Sequence, residues 1–310
     1  MTTATPSVAA STDRPLLGVL LMVGFCILAP LGDAIAKLLG ALPLGQLLLV
    51  RYGMQAALLL PFVRATGLSL RLTPRIWWLT VVRTVLHVVS LAAFFAALRY
   101  LPMADAVAIC YVMPFIILLL GRVFLGETVG PHRLAACAVG FLGTLLVVQP
   151  SFAAVGAPAL LPLAVALLFS LFMLVTRRIA RDADPVALQA ASGLVATLIL
   201  APLVLLGEGR GWPELDPAPV PAAAWLLLAA LGFFGTAAHM LMTWSLRFAP
   251  SATVAPVQYL EIPFATLIGL LVFGALPNGL AAAGILVTIA AGLYVLHRER
   301  RASLAGAPAV

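Results

Sequence analysis

Charge is what this chain most conspicuously lacks. Only 9% of its 310 residues are Asp, Glu, Lys or Arg, whereas about a quarter is usual for a soluble domain. Hydrophobic residues make up 63%, and the mean hydropathy is +1.14. So little polar surface cannot cover a soluble fold, so lipid is expected to be the solvent of most of the chain. Cysteine is scarce too: Cys26, Cys110 and Cys137 lie singly in apolar runs, which argues against a disulfide framework and a zinc site. The four histidines are dispersed, and neither His-Glu-x-x-His nor Gly-x-Ser-x-Gly occurs. A membrane-embedded enzyme is therefore disfavoured, and no cofactor or metal is expected. Residues 1–15 lack the basic start and cleavage site of a signal peptide and read as a short tail.

What is present is a series of apolar runs, each near the ~20 residues that span a bilayer. Ten qualify: 16–39, 44–63, 76–98, 103–121, 131–148, 159–177, 186–206, 222–244, 250–273 and 278–296. Ten crossings put both termini on one side. If that side is the cytoplasm, it holds Arg14, Arg64, Arg71, Arg75, Arg122, Arg133, Arg177, Arg178, Arg181, Arg247, Arg298, Arg300 and Arg301. The outer loops hold only Arg99 and Arg210. This positive-inside bias orients the chain and accounts for its net charge of +7, so no nucleic-acid partner is implied. Trp77 and Trp78 fall at the inner interface, where an aromatic belt is expected.

The chain also repeats itself. Leu98-Arg99-Tyr100-Leu101-Pro102 returns as Leu246-Arg247-Phe248-Ala249-Pro250, 148 places on (246 − 98). Tyr111 and Pro114 are echoed by Tyr259 and Pro263, and Phe124-Leu125-Gly126 by Val272-Phe273-Gly274. Small residues spaced by four follow in both copies: Ala136, Gly140 and Thr144, then Gly284, Thr288 and Gly292. A fixed long period signals a duplicated unit. The halves are 16–148 and 159–296, with a second tail at 297–310. Five spans per half is an odd number, so the second half is expected to cross in the opposite sense, as in transporters built from inverted repeats. The small-residue stripes permit close helix packing, within the monomer or across a homodimer.

The succession Asp33…Lys37, Arg51 before Pro61, Leu98 to Pro102, Leu125-Gly126-Glu127 and Tyr259-Leu260-Glu261 resembles the drug/metabolite transporter superfamily, EamA type, from about Pro15 to Arg301. The resemblance implies an all-α integral membrane protein of ten transmembrane helices in two inverted five-helix repeats. It also implies a central pathway built mostly from helices 1–4 and 6–9, and a small organic solute. Ala275 departs from the pattern, standing where the second half usually carries a glutamate matching Glu127, which weakens any symmetric glutamate gate. The superfamily includes amino-acid exporters, S-adenosylmethionine importers, riboflavin importers and drug exporters, so substrate and direction stay open.

An ionisable group inside a span costs roughly 2.5–3.5 kcal/mol and needs a partner or a wet cavity. The third span carries Thr80, Arg83, His87, Ser90 and Phe94 on one helical face, and the eighth carries Thr236, His239, Met240 and Thr243 with Trp244 beside them. Tyr111 joins from the fourth span, and Gln258, Tyr259 and Glu261 from the ninth. Together they describe an aromatic-walled pocket with a few polar groups. Each has a plainer reading: Arg83 can snorkel to the cytoplasmic edge, His87 can be structural, and Glu261 can close a hydrogen bond beside Pro263 rather than carry a proton. Asp33, four residues before Lys37, can pair with it, and with Arg51 it forms either an ion network between two helices or a gate. The reading as a whole is a bacterial-type inner-membrane secondary transporter, both termini cytoplasmic, whose partners are a small solute and the bilayer. It leans to uptake of a riboflavin-like vitamin, with amino-acid export or S-adenosylmethionine-type import as alternatives. A non-transporting scaffold is disfavoured by the cost of its intramembrane charges.

Overall fold

The computed structural model describes residues 14–70, 72–148, 156–274 and 279–304. The tail at 1–13, Arg71, Ala275 and the last six residues lie outside this range. Its helices are α1 (Pro15–Leu38), α2 (Leu44–Ala65), α3 (Pro74–Tyr100), α4 (Met103–Cys110), α5 (Met113–Leu125) and α6 (Pro131–Val148). After a 3-10 turn at Ala157–Ala159 come α7 (Leu160–Ile179), α8 (Pro185–Gly207), α9 (Ala224–Phe248) and α10 (Ser251–Val254). A 3-10 stretch, Ala255–Leu260, leads into α11 (Glu261–Phe273), and α12 (Gly279–Leu304) ends the described chain. No strand occurs among the described residues. Among the described residues seven stretches are long and apolar enough to cross a bilayer, and α5, α6 and α12 contain shorter apolar helices.

Two expected spans are not single helices. The run 103–121 breaks at Tyr111-Val112, between α4 and α5, and the run 250–273 tightens into the 3-10 stretch before α11. Proline dictates where. Pro114 and Pro263 fall in the first turns of α5 and α11, where a missing N–H leaves no intrahelical bond unmade. The break therefore precedes Pro263 instead of kinking the helix at it.

The sequence echo is written into the backbone at the same 148-residue interval. Leu101 and Ala249 are both extended, with ψ of 147°, because a proline follows each. Met113 opens α5 as Glu261 opens α11, and Gly126 and Gly274 end those helices in left-handed conformation, at φ of 65° and 66°. Packing respects the same exchange. In the first half α1 lies on α9 of the second, while α3 lies on α7, and α2 packs on α8 as α6 packs on α12. Exchanging each helix for its counterpart leaves that pattern unchanged.

Each half is tied by two cations in corresponding places. Lys37, ending α1, donates to the carbonyls of Leu98 (2.6 Å) and Leu101 (2.7 Å) at the end of α3. Arg177, ending α7, donates to the carbonyl of Leu246 (2.6 Å) at the end of α9. Arg99 reaches the Leu42 carbonyl in the α1–α2 turn (2.8 Å), as Arg247 reaches that of Ala183 in the α7–α8 turn (2.8 Å). Helix-end carbonyls have no partner in their own helix, and these side chains supply one. The small-residue stripes are also consumed inside the monomer: a Cβ at Gly143 would sit 2.9 Å from the Gly284 carbonyl, and Gly140 lies under the Tyr259 ring. The seam that could have served a homodimer is thus the α6–α12 contact.

Candidate substrate cavity

A cavity opens where the two breaks face each other. It is lined by Phe25, Ala29 and Asp33 of α1; His87, Ser90, Leu91 and Phe94 of α3; and Val107, Cys110, Tyr111 and Met113 around the first break. Val165 and Phe169 of α7, His239 of α9 and Glu261 of α11 complete it. Its volume is about 80 Å³, well below the roughly 300–1,000 Å³ of an organic-ligand pocket. A solute of that size must widen it. One turn farther along α1 and α3 lies a larger recess of about 390 Å³, lined by Ala36, Lys37, Phe95, Leu98 and Arg99 among others. The opposite end of the bundle is tied shut. There Glu127, just past α5, accepts from the Ser251 hydroxyl (2.6 Å) and the Ser251 and Ala252 amides (3.1 and 3.0 Å), and pairs with Arg177 (3.3 Å).

One pole of the cavity is acidic. Tyr111 Oη donates to Glu261 Oε2 at 2.8 Å, and Tyr259 Oη donates to the Tyr111 carbonyl at 3.2 Å, with the two rings 5.3 Å apart. That carbonyl is one freed by the first break, and the repeat-related tyrosine satisfies it. Asp33 adds a second carboxyl group, which makes no hydrogen bond or ion pair among the described residues and feels the charges of Glu261 and Arg51. The other pole is an aromatic floor. His87 stacks on Phe172 at 4.4 Å and 11°, lies 4.3 Å from His239, and meets the Tyr52 hydroxyl through Nδ1 at 2.9 Å. His239 Nδ1 is contacted by Arg51 Nη2 at 3.1 Å and by the Gly235 carbonyl at 2.9 Å. One nitrogen can accept from the arginine or donate to the carbonyl, not both, so the tautomer decides which bond is made.

The acidic pole sits where the two breaks face each other, and the chain's duplication is also found by comparison with known families. The EamA-like transporter family matches this chain twice, over residues 16–149 and 157–296. The chain belongs to that family. A riboflavin transporter of Rhizobium johnstonii is 32% identical over 95% of this EamA-like chain and 96% of its own length. The pseudopaline exporter CntI of Pseudomonas aeruginosa is 26% identical over 88% and 94%. A crystal structure 21% identical in sequence, covering 93% of this chain and 97% of that one, superposes with a TM-score of 0.69, which supports the fold. The protein is a multi-pass membrane protein.

Of the residues singled out from sequence, His87, Ser90, Phe94, Tyr111, His239 and Glu261 come together around this EamA-type cavity. Tyr259 backs it through Tyr111. Arg83 does not snorkel: it is 1% exposed, with its guanidinium 5.1 Å over the Phe172 ring beneath the floor. Trp244 lies away from the cavity, stacked on Phe248 near the end of α9, and Gln258 turns to the Met173 sulfur at 3.0 Å. Of the Asp33–Lys37–Arg51 network only the electrostatic interaction of Asp33 with Arg51 remains, without a direct ion pair. Lys37 is drawn off by two carbonyls, Arg51 by His239, and Asp33 is left in the cavity wall. Phe25, Phe169 and Phe172 were missed, since a phenylalanine in an apolar span carries no mark distinguishing a cavity wall from a lipid face. Tyr52 could have been found: a hydroxyl beside Arg51 inside a span needs a partner.

Gly235 exists for Arg51. A Cβ there would lie 2.7 Å from Nε and 3.0 Å from Cζ of the guanidinium. Gly235→Ala is expected to push Arg51 off His239 and to destabilise the folded protein by about 1–3 kcal/mol, the cost of a buried donor left unmade. In an Arg51→Met background the same change should cost far less. Equal losses in thermal unfolding of the two backgrounds would show that the clash is not with Arg51.

Proposed function

We propose that the chain is an inner-membrane secondary transporter that moves a small organic solute by alternating access, favouring uptake of a riboflavin-like vitamin. The observation that carries this is the 32% identity to a riboflavin transporter across nearly the whole of both chains. The cavity is compatible with it: aromatic walls, a tyrosine–carboxyl pair and two imidazoles suit a ring system with hydrogen-bonding edges. Export of an amino acid or related metabolite is the second reading, favoured by the likeness to the pseudopaline exporter. Import of the S-adenosylmethionine type remains the third.

In this reading the ten crossings form two inverted five-helix repeats, both termini face the cytoplasm, and the Glu127–Arg177–Ser251 contacts close the cytoplasmic end. The exchange-symmetric packing and the arginine distribution support that orientation. Thiol labelling of Arg99→Cys and Arg247→Cys in intact cells should find the first accessible from outside and the second only after permeabilisation. Labelling from the same side would remove the inversion.

Glu261 occupies the position that Met113 holds in the other half, which makes it the asymmetric element of the break. Its carboxyl group can carry a proton through the cycle or accept a hydrogen bond from the solute. Purified protein in liposomes is expected to accumulate riboflavin down an imposed proton gradient, and no transport or competition by flavin would remove the vitamin reading. Glu261→Gln should then lose at least ten-fold in gradient-driven uptake while keeping counterflow exchange. Undiminished gradient-driven uptake with the same pH profile would reject the coupling role.

A further inference from the structure

Beneath the aromatic floor lie two guanidinium groups that the cavity does not touch. Arg51 is 2% exposed and Arg83 1%, and neither pairs with a carboxylate among the described residues. Each has its flat face covered: Arg51 by the Tyr52 ring at 4.9 Å, Arg83 by the Phe172 ring at 5.1 Å. Their edges are another matter. Nη1 of Arg51 and both Nε and Nη1 of Arg83 are buried without a hydrogen-bond partner, and so is Nε2 of His87, directly above. Buried charge that is neither paired nor fully hydrogen-bonded is expensive, and stacking on a ring satisfies the face of a guanidinium but not its N–H groups. The acids of this interior, Asp33 and Glu261, line the cavity, and neither forms an ion pair with Arg83 or Arg51, although Asp33 lies within electrostatic reach of Arg51.

The geometry points to an oxyanion-binding station below the floor, in which Arg83 and Arg51 receive a carboxylate or phosphate of the transported solute once the His87–Phe172–His239 layer parts. Guanidinium edges fixed by aromatic faces are preorganised for such a group, which brings the missing charge and acceptors together. Packing fits a role in passage. The floor separates the cavity from Arg83, and His87, whose free Nε2 sits at the boundary, touches both sides through its stack on Phe172. The inference rests on the transporter reading above and adds to it that the site also takes solutes bearing a carboxylate or phosphate, a phosphorylated form of the vitamin included.

The test uses the whole protein in detergent, with benzoate, phenyl phosphate and neutral benzamide as probes at matched ionic strength. The two anions supply the carboxylate and the phosphate, and benzamide supplies the same ring without charge. Wild type is expected to gain several degrees of thermal stability with at least one anion and none with benzamide, and the better anion identifies the group. Arg83→Gln should weaken that anion's apparent affinity at least ten-fold, Arg83→Lys should retain part of it, and Arg51→Gln should fall in between. The Lys and Arg51 variants decide the matter if Arg83→Gln does not fold. Equal responses to anion and benzamide in wild type, or unaltered anion responses in all of the variants that fold, would overturn the site. Riboflavin uptake is read separately: anion binding without flavin transport removes the vitamin and keeps the station, whereas flavin transport without anion binding does the reverse.

Discussion

A backbone carbonyl freed inside a bilayer has no water to turn to, and each such group left alone costs several kcal/mol. The architecture follows from how this chain meets that cost. Helix ends and helix breaks are where carbonyls come free, and at several of them a side chain from another element arrives. Lys37 and Arg177 cover the ends of α3 and α9, and Tyr259 covers the break at Tyr111. Those contacts fix which helices neighbour which, so the cost of an irregular backbone is met by the same bonds that hold the bundle together. Irregular backbone survives at membrane depth only where protein or a cavity surrounds it, and here both breaks face one cavity.

The frame is duplicated but its contents are not. Met113 and Glu261 occupy equivalent places at the two breaks, one apolar and one acidic. Glu127 bridges α10 and Arg177 at one end, while the corresponding position in the other half is Ala275. Lys37, the counterpart of Arg177, holds two carbonyls and faces the Phe273 ring at 5.9 Å, with no carboxylate, and lies beside the larger recess. A symmetric frame can be rocked about its axis with little change in packing, whereas asymmetric contents give the two ends different strengths. The closed Glu127 end and the recess at the Lys37 end are consistent with that difference.

Much of this was legible in the sequence because the signals were long. Apolar runs and the 148-residue echo each draw on many residues, and hydrophobic burial in lipid leaves few alternatives. Short-range signals misled. Asp33 and Lys37 stand at helical pairing distance, but a surface-type ion pair is worth a few tenths of a kcal/mol, less than two bare carbonyls at the end of α3. Arg83 looked close enough to an edge to snorkel, yet an aromatic face from α7 was nearer. The breaks were signalled by Pro114 and Pro263, but a proline permits a helix start as readily as a kink, so composition could not place them. His87 and His239 lie on stripes that sequence could read; that their rings meet at 4.3 Å depends on how α3 and α9 approach across the cavity.

The central claim is that one cavity serves both sides of the membrane because the end closed by Glu127 can open. Ser251 Oγ touches Glu127 Oε2 at 2.6 Å, so cysteines at these two positions can be joined by a short, reducible thiol cross-linker. With Glu127→Cys and Ser251→Cys joined, solute binding from the recess side should persist while transport in liposomes stops, and reduction should restore the rate measured before joining, whereas the cross-linker should not change the rate of either single substitution. Transport that continues at the same rate with the two positions joined would contradict the account.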